Sequence, residues 1–104
     1  MELNPLNGPF SMVGASDMEE RTGCGNDRAK SMKLCYAKKG TKVSVYPGKP
    51  KPGKQGSEIY ADRDMGNRCQ TIDNFMDSKL YCDVKVDYIR GNSRISSFGV
   101  TYGN

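Results

Sequence analysis

Four cysteines in a polar chain constrain the fold of this sequence more than any other feature. Only 36% of the 104 residues are hydrophobic and none is Trp, so a single core of this size gains from cross-links. An even cysteine count in a short chain rich in Gly and Pro is typical of an oxidising compartment. We therefore predict two disulfide bonds and a secreted protein; four reduced, buried thiols of a cytosolic protein are the alternative. The cysteines are Cys24, Cys35, Cys69 and Cys82.

The sequence does not fix how these cysteines pair, since four cysteines allow three connectivities. We favour Cys35–Cys69 together with Cys24–Cys82, because closing long loops restricts the unfolded chain most, by roughly 3–5 kcal/mol for each bond. Zinc is another use for four cysteines. Their spacing contains no close ligand pair and the chain has no His, so we predict no metal site and no cofactor.

Membrane and targeting signals are not evident. No apolar run approaches the roughly 20 residues that cross a bilayer. Residues 1–7 have neither a basic start nor an apolar stretch. We expect no transmembrane segment, and we expect any secretory signal to have been removed from the chain.

Short alternating runs separated by turn residues predict a mostly β fold. In the strongest run, residues 80–89, five side chains share one face and charged residues occupy the other. We predict a compact antiparallel sandwich or barrel of about six short strands, stapled by disulfides. The shared face holds Leu80, Cys82, Val84, Val86 and Tyr88, and the other predicted strands are residues 32–37, 42–46, 57–61, 69–73 and 95–102.

The remaining segments predict the domain boundaries. Residues 1–15 contain two Pro and two Gly and predict a flexible N-terminal arm. Residues 16–104 form the single predicted domain, which begins with a short helix over residues 17–22 because Ser16 and Glu19 have capping-box spacing. Turn residues at 38–41 and 90–93 predict hairpins between the flanking strands, and residues 47–56 predict an exposed loop.

The basic residues are concentrated in one stretch. Residues 28–54 hold nine Lys and Arg and no acidic residue, whereas the other seventy-seven residues hold seven basic and twelve acidic residues. Such a stretch steers an acidic protein face or a polyanion, but lysines also keep loops soluble and blunt strand edges. Both interpretations stay open. The candidate partner-binding residues are Lys38, Lys39, Lys42, Lys49, Lys51 and Lys54.

Catalysis has little support in the residue types present. The chain has no His, which removes the commonest general base, and disulfide-bonded cysteines are not nucleophiles. Paired carboxylates are the remaining catalytic chemistry, and we do not predict an enzyme or any catalytic residue. Residues 62–67 are similar to part of a calcium loop, but they lack the Glu that completes it and favour a solvated turn. The carboxylates available for such paired catalysis are Asp62, Asp64, Asp73 and Asp77.

Three tyrosines lie in or near the basic stretch. Basic residues with stacking aromatics are typical of nucleic-acid binding. However, sheet-face or core positions explain Tyr36, Tyr46 and Tyr60 more simply, so we do not expect nucleic acid as the partner.

The stretch NSRISSFGV, residues 92–100, resembles the end of a βγ-crystallin Greek-key motif. Residues 43–46 and the Gly-bearing loop after them resemble the opening strand of that motif. The resemblance covers residues 42–100 and implies a secreted β fold. It also implies a weak calcium site at Asn92 and Ser96, although Ser93 stands where the motif has its second acidic or amide residue.

The layout is also similar to that of small ToxB-like fungal effectors, which have two short sheets and a disulfide near the first strand. The shared features are the separation of Cys35 from Cys69 and the basic Pro/Gly hairpin between them. Both resemblances imply secreted, disulfide-bearing β folds that bind partners or act as toxins or inhibitors.

These patterns together predict a small secreted binding protein of the effector, toxin or inhibitor type. It would dock on a target protein through a sheet edge or through the basic loops of residues 28–54. A binder of polyanions (nucleic acid, glycosaminoglycan or an acidic membrane surface) is the alternative, and a small carboxylate-based hydrolase is the second alternative.

Overall fold

The computed structural model describes residues 1–8, 10, 13–14, 17, 22, 31–48, 55–74, 77–89 and 95–103. These residues form eight short strands and one 3₁₀ helix. In chain order they are β1 (Glu2–Leu3), the 3₁₀ helix (Pro5–Asn7), β2 (Met32–Cys35), β3 (Lys42–Tyr46), β4 (Ser57–Ala61), β5 (Cys69–Ile72), β6 (Lys79–Leu80), β7 (Val84–Tyr88) and β8 (Ser97–Thr101). In this described part of the chain, no helix is long and apolar enough to cross a membrane.

The strands form two sheets. One has three strands in the order β1-β2-β5, with β1 parallel and β5 antiparallel to β2. The other has five antiparallel strands in the order β6-β7-β4-β3-β8. The predicted fold class, a compact, mostly β and disulfide-stapled fold, is confirmed.

Side chains from both sheets meet in one hydrophobic core. In β3 and β4 the buried Val43, Val45 and Ile59 alternate with the more exposed Lys42 and Glu58. β4 alternates buried and half-buried residues, the period-two pattern of a sheet with one packed face, whereas β3 is buried on both faces after Lys42. The sequence predicted both strands to the residue.

The prediction of a flexible arm over residues 1–15 is wrong for the described part of that segment. Leu3, Phe10 and Val13 are buried in the core. β1 pairs with β2, and Val13 exchanges two backbone hydrogen bonds with Phe98 of β8, at 2.7 and 3.1 Å. Isolated apolar residues between Pro and Gly show no strand period, so sequence patterning missed a segment that covers the edge of β8.

The prediction of one continuous strand over residues 80–89 is also wrong. β6 and β7 pair with each other across a tight turn, in which Tyr81 N donates to Val84 O at 2.7 Å. Leu80 and Cys82, predicted on the buried face, are therefore exposed. The turn contains no Gly, Pro or Asn, and alternation alone does not reveal such a reversal.

Neither predicted hairpin joins the strands it was expected to join. The turn at residues 38–41 carries the chain from β2 in one sheet to β3 in the other. β8 pairs with β3 and not with β7. Turn residues fix where the chain reverses, whereas the burial of strand faces decides which strands become neighbours.

Cys35 and Cys69 form a disulfide between β2 and β5, where they lie directly opposite each other. This half of the favoured connectivity is confirmed. The second bond is not shown, since Cys82 carries an exposed free thiol and Cys24 lies outside the described residues. The predicted helix over residues 17–22 also falls largely outside them.

Candidate functional site

Exposed apolar side chains converge on one groove. Leu6, Tyr36 and Tyr102 are 67%, 36% and 44% exposed, and they are three of the five exposed large hydrophobic residues in the described chain. All three line a concavity of about 180 Å³, the aromatic groove. Single exposed apolar residues are ordinary, but a cluster on a concave surface is a candidate contact surface. The other lining residues are Pro5, Lys38, Thr41 and Gly103.

The backbone of Tyr36 has a conformation that tyrosine rarely adopts. Its φ is 61°, in the left-handed region, which costs a residue with a Cβ about 1 kcal/mol. The residue follows Cys35, whose disulfide ties it to β5, and its N–H donates to Arg68 O at 3.1 Å. These two restraints hold the strained conformation and fix the direction in which the ring leaves the sheet.

Arg68 is itself held in place. Its guanidinium donates to the carbonyls of Met65 and Asp64, at 3.0 Å each, and to Asp83 Oδ1 at 3.2 Å. Asp83 is buried, and a buried carboxylate persists where cations and donors satisfy it. The Arg68 carbonyl that accepts the Tyr36 N–H therefore lies in a loop that these hydrogen bonds hold in place.

Tyr102 lies just beyond the end of β8. Its hydroxyl accepts the Phe10 N–H at 3.1 Å, and the next residue, Gly103, donates to Thr41 Oγ1 at 3.2 Å. A side chain at Gly8 would overlap the Tyr102 hydroxyl, so this close approach requires glycine. The ring is thus anchored through its hydroxyl and leaves one face in the groove.

Leu6 is presented by the 3₁₀ helix. Asn4 Oδ1 accepts the Leu6 N–H at 3.0 Å, and Gly8 N donates to Pro5 O at 3.1 Å. Pro5 begins the helix, where its fixed φ suits the first turn. Leu6 therefore lies on a hydrogen-bonded turn.

The turn at residues 38–41 separates the aromatic groove from a second concavity. Thr41 N donates to Lys38 O at 3.0 Å, and Gly40 supplies the positive φ of 89° that this turn needs. Lys39 N donates to Asp64 Oδ1 at 2.7 Å. Lys38 lines the aromatic groove, whereas Lys39 lines the second concavity.

This second concavity is an open depression of about 460 Å³ on the outer face of the five-stranded sheet. Lys85 and Asp87 lie on it as an ion pair at 3.7 Å. Its lining mixes charges of both signs and has no apolar cluster, so it is the weaker candidate for recognition. The lining residues are Lys39, Gly40, Tyr60, Ala61, Asp62, Lys85 and Asp87.

Of the six lysines predicted to bind a partner, the structure describes three, and these three do not share one concavity. Lys42 Nζ lies 3.1 Å from Glu58 Oε2 on the neighbouring strand. That oxygen is buried, and the ammonium compensates its charge. Lys42 therefore belongs to the ion pairing of the sheet. Lys49, Lys51 and Lys54 lie outside the described residues.

Glu58 also influences the protonation of its neighbours. Its hydrogen bond raises the pKa of Lys42 above the usual 10.5. Burial, followed by the negative charge of Glu58, raises the pKa of Tyr60 above the usual 10.0. Both groups hold their protons more tightly in the folded protein than in the unfolded chain.

We expect the free energy of unfolding to fall at alkaline pH. The contribution of Lys42 is complete below pH 10.5 and is lost as the pH rises through its raised folded pKa, and Tyr60 acts in the same direction from pH 10.0. Urea unfolding below and above these values measures the decline. Lys42→Arg is the matched control, since arginine stays charged and should give a shallower decline. Equal declines in both proteins would contradict the role given to Lys42.

In the described residues, no three His, Cys, Asp or Glu side chains are placed to hold a metal ion. Asp64 accepts the Lys39 N–H, and Ser96 donates its hydroxyl to Pro47 O at 3.2 Å. Both side chains thus have structural roles. Asn92, the other residue of the crystallin-like motif, lies outside the described part.

The fold and the groove define a small, disulfide-stapled β protein that presents anchored aromatic side chains at the junction of its N-terminal, β2–β3 and C-terminal segments. Comparison with protein-family models, curated proteins and solved structures found no match. Function is therefore inferred from the groove itself.

Sequence patterning missed the groove. Leu6 lies in the predicted arm, Tyr36 was predicted as a core or sheet-face residue, and Tyr102 lies at the end of the strand predicted over residues 95–102. No local signal identified Tyr36 and Tyr102, because the sequence predicted both inside strands, whereas in the structure each is the first residue after a strand. At that position strict alternation ends and a large side chain is able to face solvent.

Proposed function

We propose that this is a secreted binding protein that docks on a target protein through the aromatic groove. The observation that carries the proposal is the convergence of Leu6, Tyr36 and Tyr102 on one concave surface, with Lys38 beside them. Tyrosine is enriched among the residues that dominate interface energetics, because it buries a large area with few rotamers to fix.

The size of the groove supports a protein partner over a metabolite. Small-molecule pockets measure about 300–1,000 Å³. The aromatic groove, at about 180 Å³, has room for one or two side chains of a partner. None of its seven lining residues carries a carboxylate, so it does not support hydrolysis by paired carboxylates.

The anchoring of the rings also supports binding. Tyr36 is held by the disulfide and by the Arg68 carbonyl, and Tyr102 is held by the Phe10 N–H. Side chains fixed before association lose less entropy when a partner arrives, which raises affinity for a given contact area.

The charge pattern favours an acidic protein face over a polyanion. Four basic side chains of the described chain already form ion pairs with acidic residues, which weakens the positive field that a polyanion needs. Lys38 remains beside the groove to steer an acidic face. The paired residues are Lys42, Arg63, Arg68 and Lys85.

The disulfide supports secretion. Small chains with a modest core use such bonds in oxidising compartments, and Cys35–Cys69 is formed between paired strands. A secreted protein with a prepared contact surface fits the effector, toxin or inhibitor class.

The proposal is tested by capturing partners with three matched proteins immobilised at equal load. These are the parent, the Tyr36→Gly/Tyr102→Ala double variant, and Leu80→Ala. Leu80 is an exposed control, 70% accessible, on the far edge strand of the five-stranded sheet. Each captured partner is then purified and titrated against all three proteins by calorimetry.

We expect the double variant to bind the partner at least about tenfold more weakly, because truncating an interface anchor costs more than about 1 kcal/mol. Leu80→Ala should bind as the parent does. Glycine suits the positive φ at position 36, so urea unfolding should show the double variant folded. Equal binding by the folded double variant and the parent would show that the groove is not the contact surface.

A further inference from the structure

We infer that the ligand of the aromatic groove is a proline-rich, acidic segment of the partner in an extended polyproline conformation. This inference rests on the proposed function and names the ligand class. It follows from three properties of the described groove: its hydrogen-bonding groups, its shape and its charge.

The hydrogen-bonding groups of the groove are poorly suited to pairing with an added strand. Four of the six lining residues that carry a main-chain N–H already donate it within the protein, and Pro5 has none. A strand that extends a sheet needs such donors. These four hydrogen bonds run from the main-chain N–H groups of Leu6 to Asn4 Oδ1, of Tyr36 to Arg68 O, of Thr41 to Lys38 O and of Gly103 to Thr41 Oγ1.

What the groove does offer is side-chain donors. Tyr102 Oη accepts the Phe10 N–H and keeps its own hydroxyl hydrogen as a donor, and Tyr36, which also lines the groove, carries a second hydroxyl. The ammonium of Lys38 donates but cannot accept. A ligand that complements this set is rich in acceptors and poor in donors. A proline tract has that property, since proline has a carbonyl and no N–H.

The shape of the groove points the same way. Two tyrosine rings and Leu6 line a shallow concavity of about 180 Å³, which suits flat prolyl rings packed on aromatic faces. Polyproline segments dock in aromatic-lined grooves because their conformation exists before binding and little entropy is lost. An α-helix would need a longer apolar groove to bury several turns.

The charge of the groove determines which residues of the ligand lie beside its prolines. Lys38 is the one charged residue among the seven that line it, and Lys39 is next in the chain. A carboxylate beside the prolines would pair with this ammonium. Basic proline-rich segments, such as the chain's own residues 47–54, would be repelled.

The experiment uses three capped synthetic peptides of equal length as probes. The first repeats Pro-Pro-Glu, the second repeats Pro-Pro-Lys, and the third repeats Ala-Ala-Glu. Each is titrated into the oxidised full chain, into Tyr36→Gly, Tyr102→Phe and Lys38→Gln, and into the Leu80→Ala control. Binding is followed by tyrosine fluorescence and by NMR shifts of the groove residues.

We expect the Pro-Pro-Glu peptide to bind at least about tenfold more tightly than either other peptide, because each of the others lacks either the prolyl contacts with the rings or the charge pair with Lys38. Tyr36→Gly should lose most of this affinity and Tyr102→Phe several-fold, whereas Leu80→Ala should bind as the parent does. Lys38→Gln should weaken binding and reduce its dependence on salt.

Other results would overturn the inference. Equal binding of the Pro-Pro-Glu and Ala-Ala-Glu peptides would mean that the groove recognises the negative charge of the peptide and not its prolines. No binding of the Pro-Pro-Glu peptide to the parent would exclude this ligand class. If the groove double variant still lost its captured partner in that case, the proposed function would stand and only the ligand class would be wrong.

Discussion

Replacing Cys35 and Cys69 together by alanine is expected to lower the free energy of unfolding by about 4 kcal/mol. The bond joins residues separated by 34 positions in the sequence, so it closes a long loop and restricts the unfolded chain. A domain of this size has a total stability of about 5–15 kcal/mol, and the loss is therefore a large part of it. Urea unfolding of the oxidised parent and the double variant measures the difference.

Cys82→Ser is the matched control for this prediction. The Cys82 thiol is free and exposed, so its replacement should change the free energy of unfolding by less than about 0.5 kcal/mol. The Cys35/Cys69 variant should also bind the Pro-Pro-Glu peptide more weakly, because Tyr36 loses one of the two restraints on its strained backbone. A stability loss of the same size in the control and in the double variant would contradict the structural role of the bond.

The strands of this protein were predictable where apolar and polar residues alternate along the chain. Val43, Val45 and Ile59 alternate with polar residues, and the bounds of β3 and β4 follow from that alternation. The Cys35–Cys69 bond was also favoured correctly, because loop length ranks the connectivities even though it does not decide among them.

The pairing of the strands was not predictable in the same way. Local turn residues at 38–41 marked a reversal, yet the strands on either side of it belong to different sheets. The turn between β6 and β7 contains no Gly, Pro or Asn, and it lies inside an apparently continuous alternating run. Which strands become neighbours depends on distant burial, and a single sequence does not display that.

The groove was the least predictable feature. It brings together residues from both ends of the chain and from the β2–β3 turn, so no local pattern contains it. The basic stretch included Lys38 among the candidate partner-binding residues, and Lys38 lines the groove. Lys42 from the same stretch is paired with Glu58 instead. Charge clustering along the sequence is thus only partly a clustering in space.

Replacing Phe98 by alanine is expected to lower the free energy of unfolding by about 3–5 kcal/mol. Phe98 is completely buried in β8, and its ring centroid lies 5.9 Å from that of Phe10. Its backbone also forms the bridge to Val13. Removing the ring leaves a cavity where the N-terminal segment packs on the five-stranded sheet. Urea unfolding measures the total loss.

The location of the destabilisation shows whether Phe98 holds the N-terminal segment in particular or stabilises the core as a whole. Amide hydrogen exchange should accelerate first at Phe10 and Val13, whose N–H groups bond to Tyr102 Oη and Phe98 O. Phe98→Leu is the conservative control; it keeps most of the volume and should cost less than about 1.5 kcal/mol. If Phe98→Ala left exchange at Phe10 unchanged while destabilising the rest of the sheet, the N-terminal segment would not depend on this contact. The Tyr102 wall of the aromatic groove would then be held by other interactions.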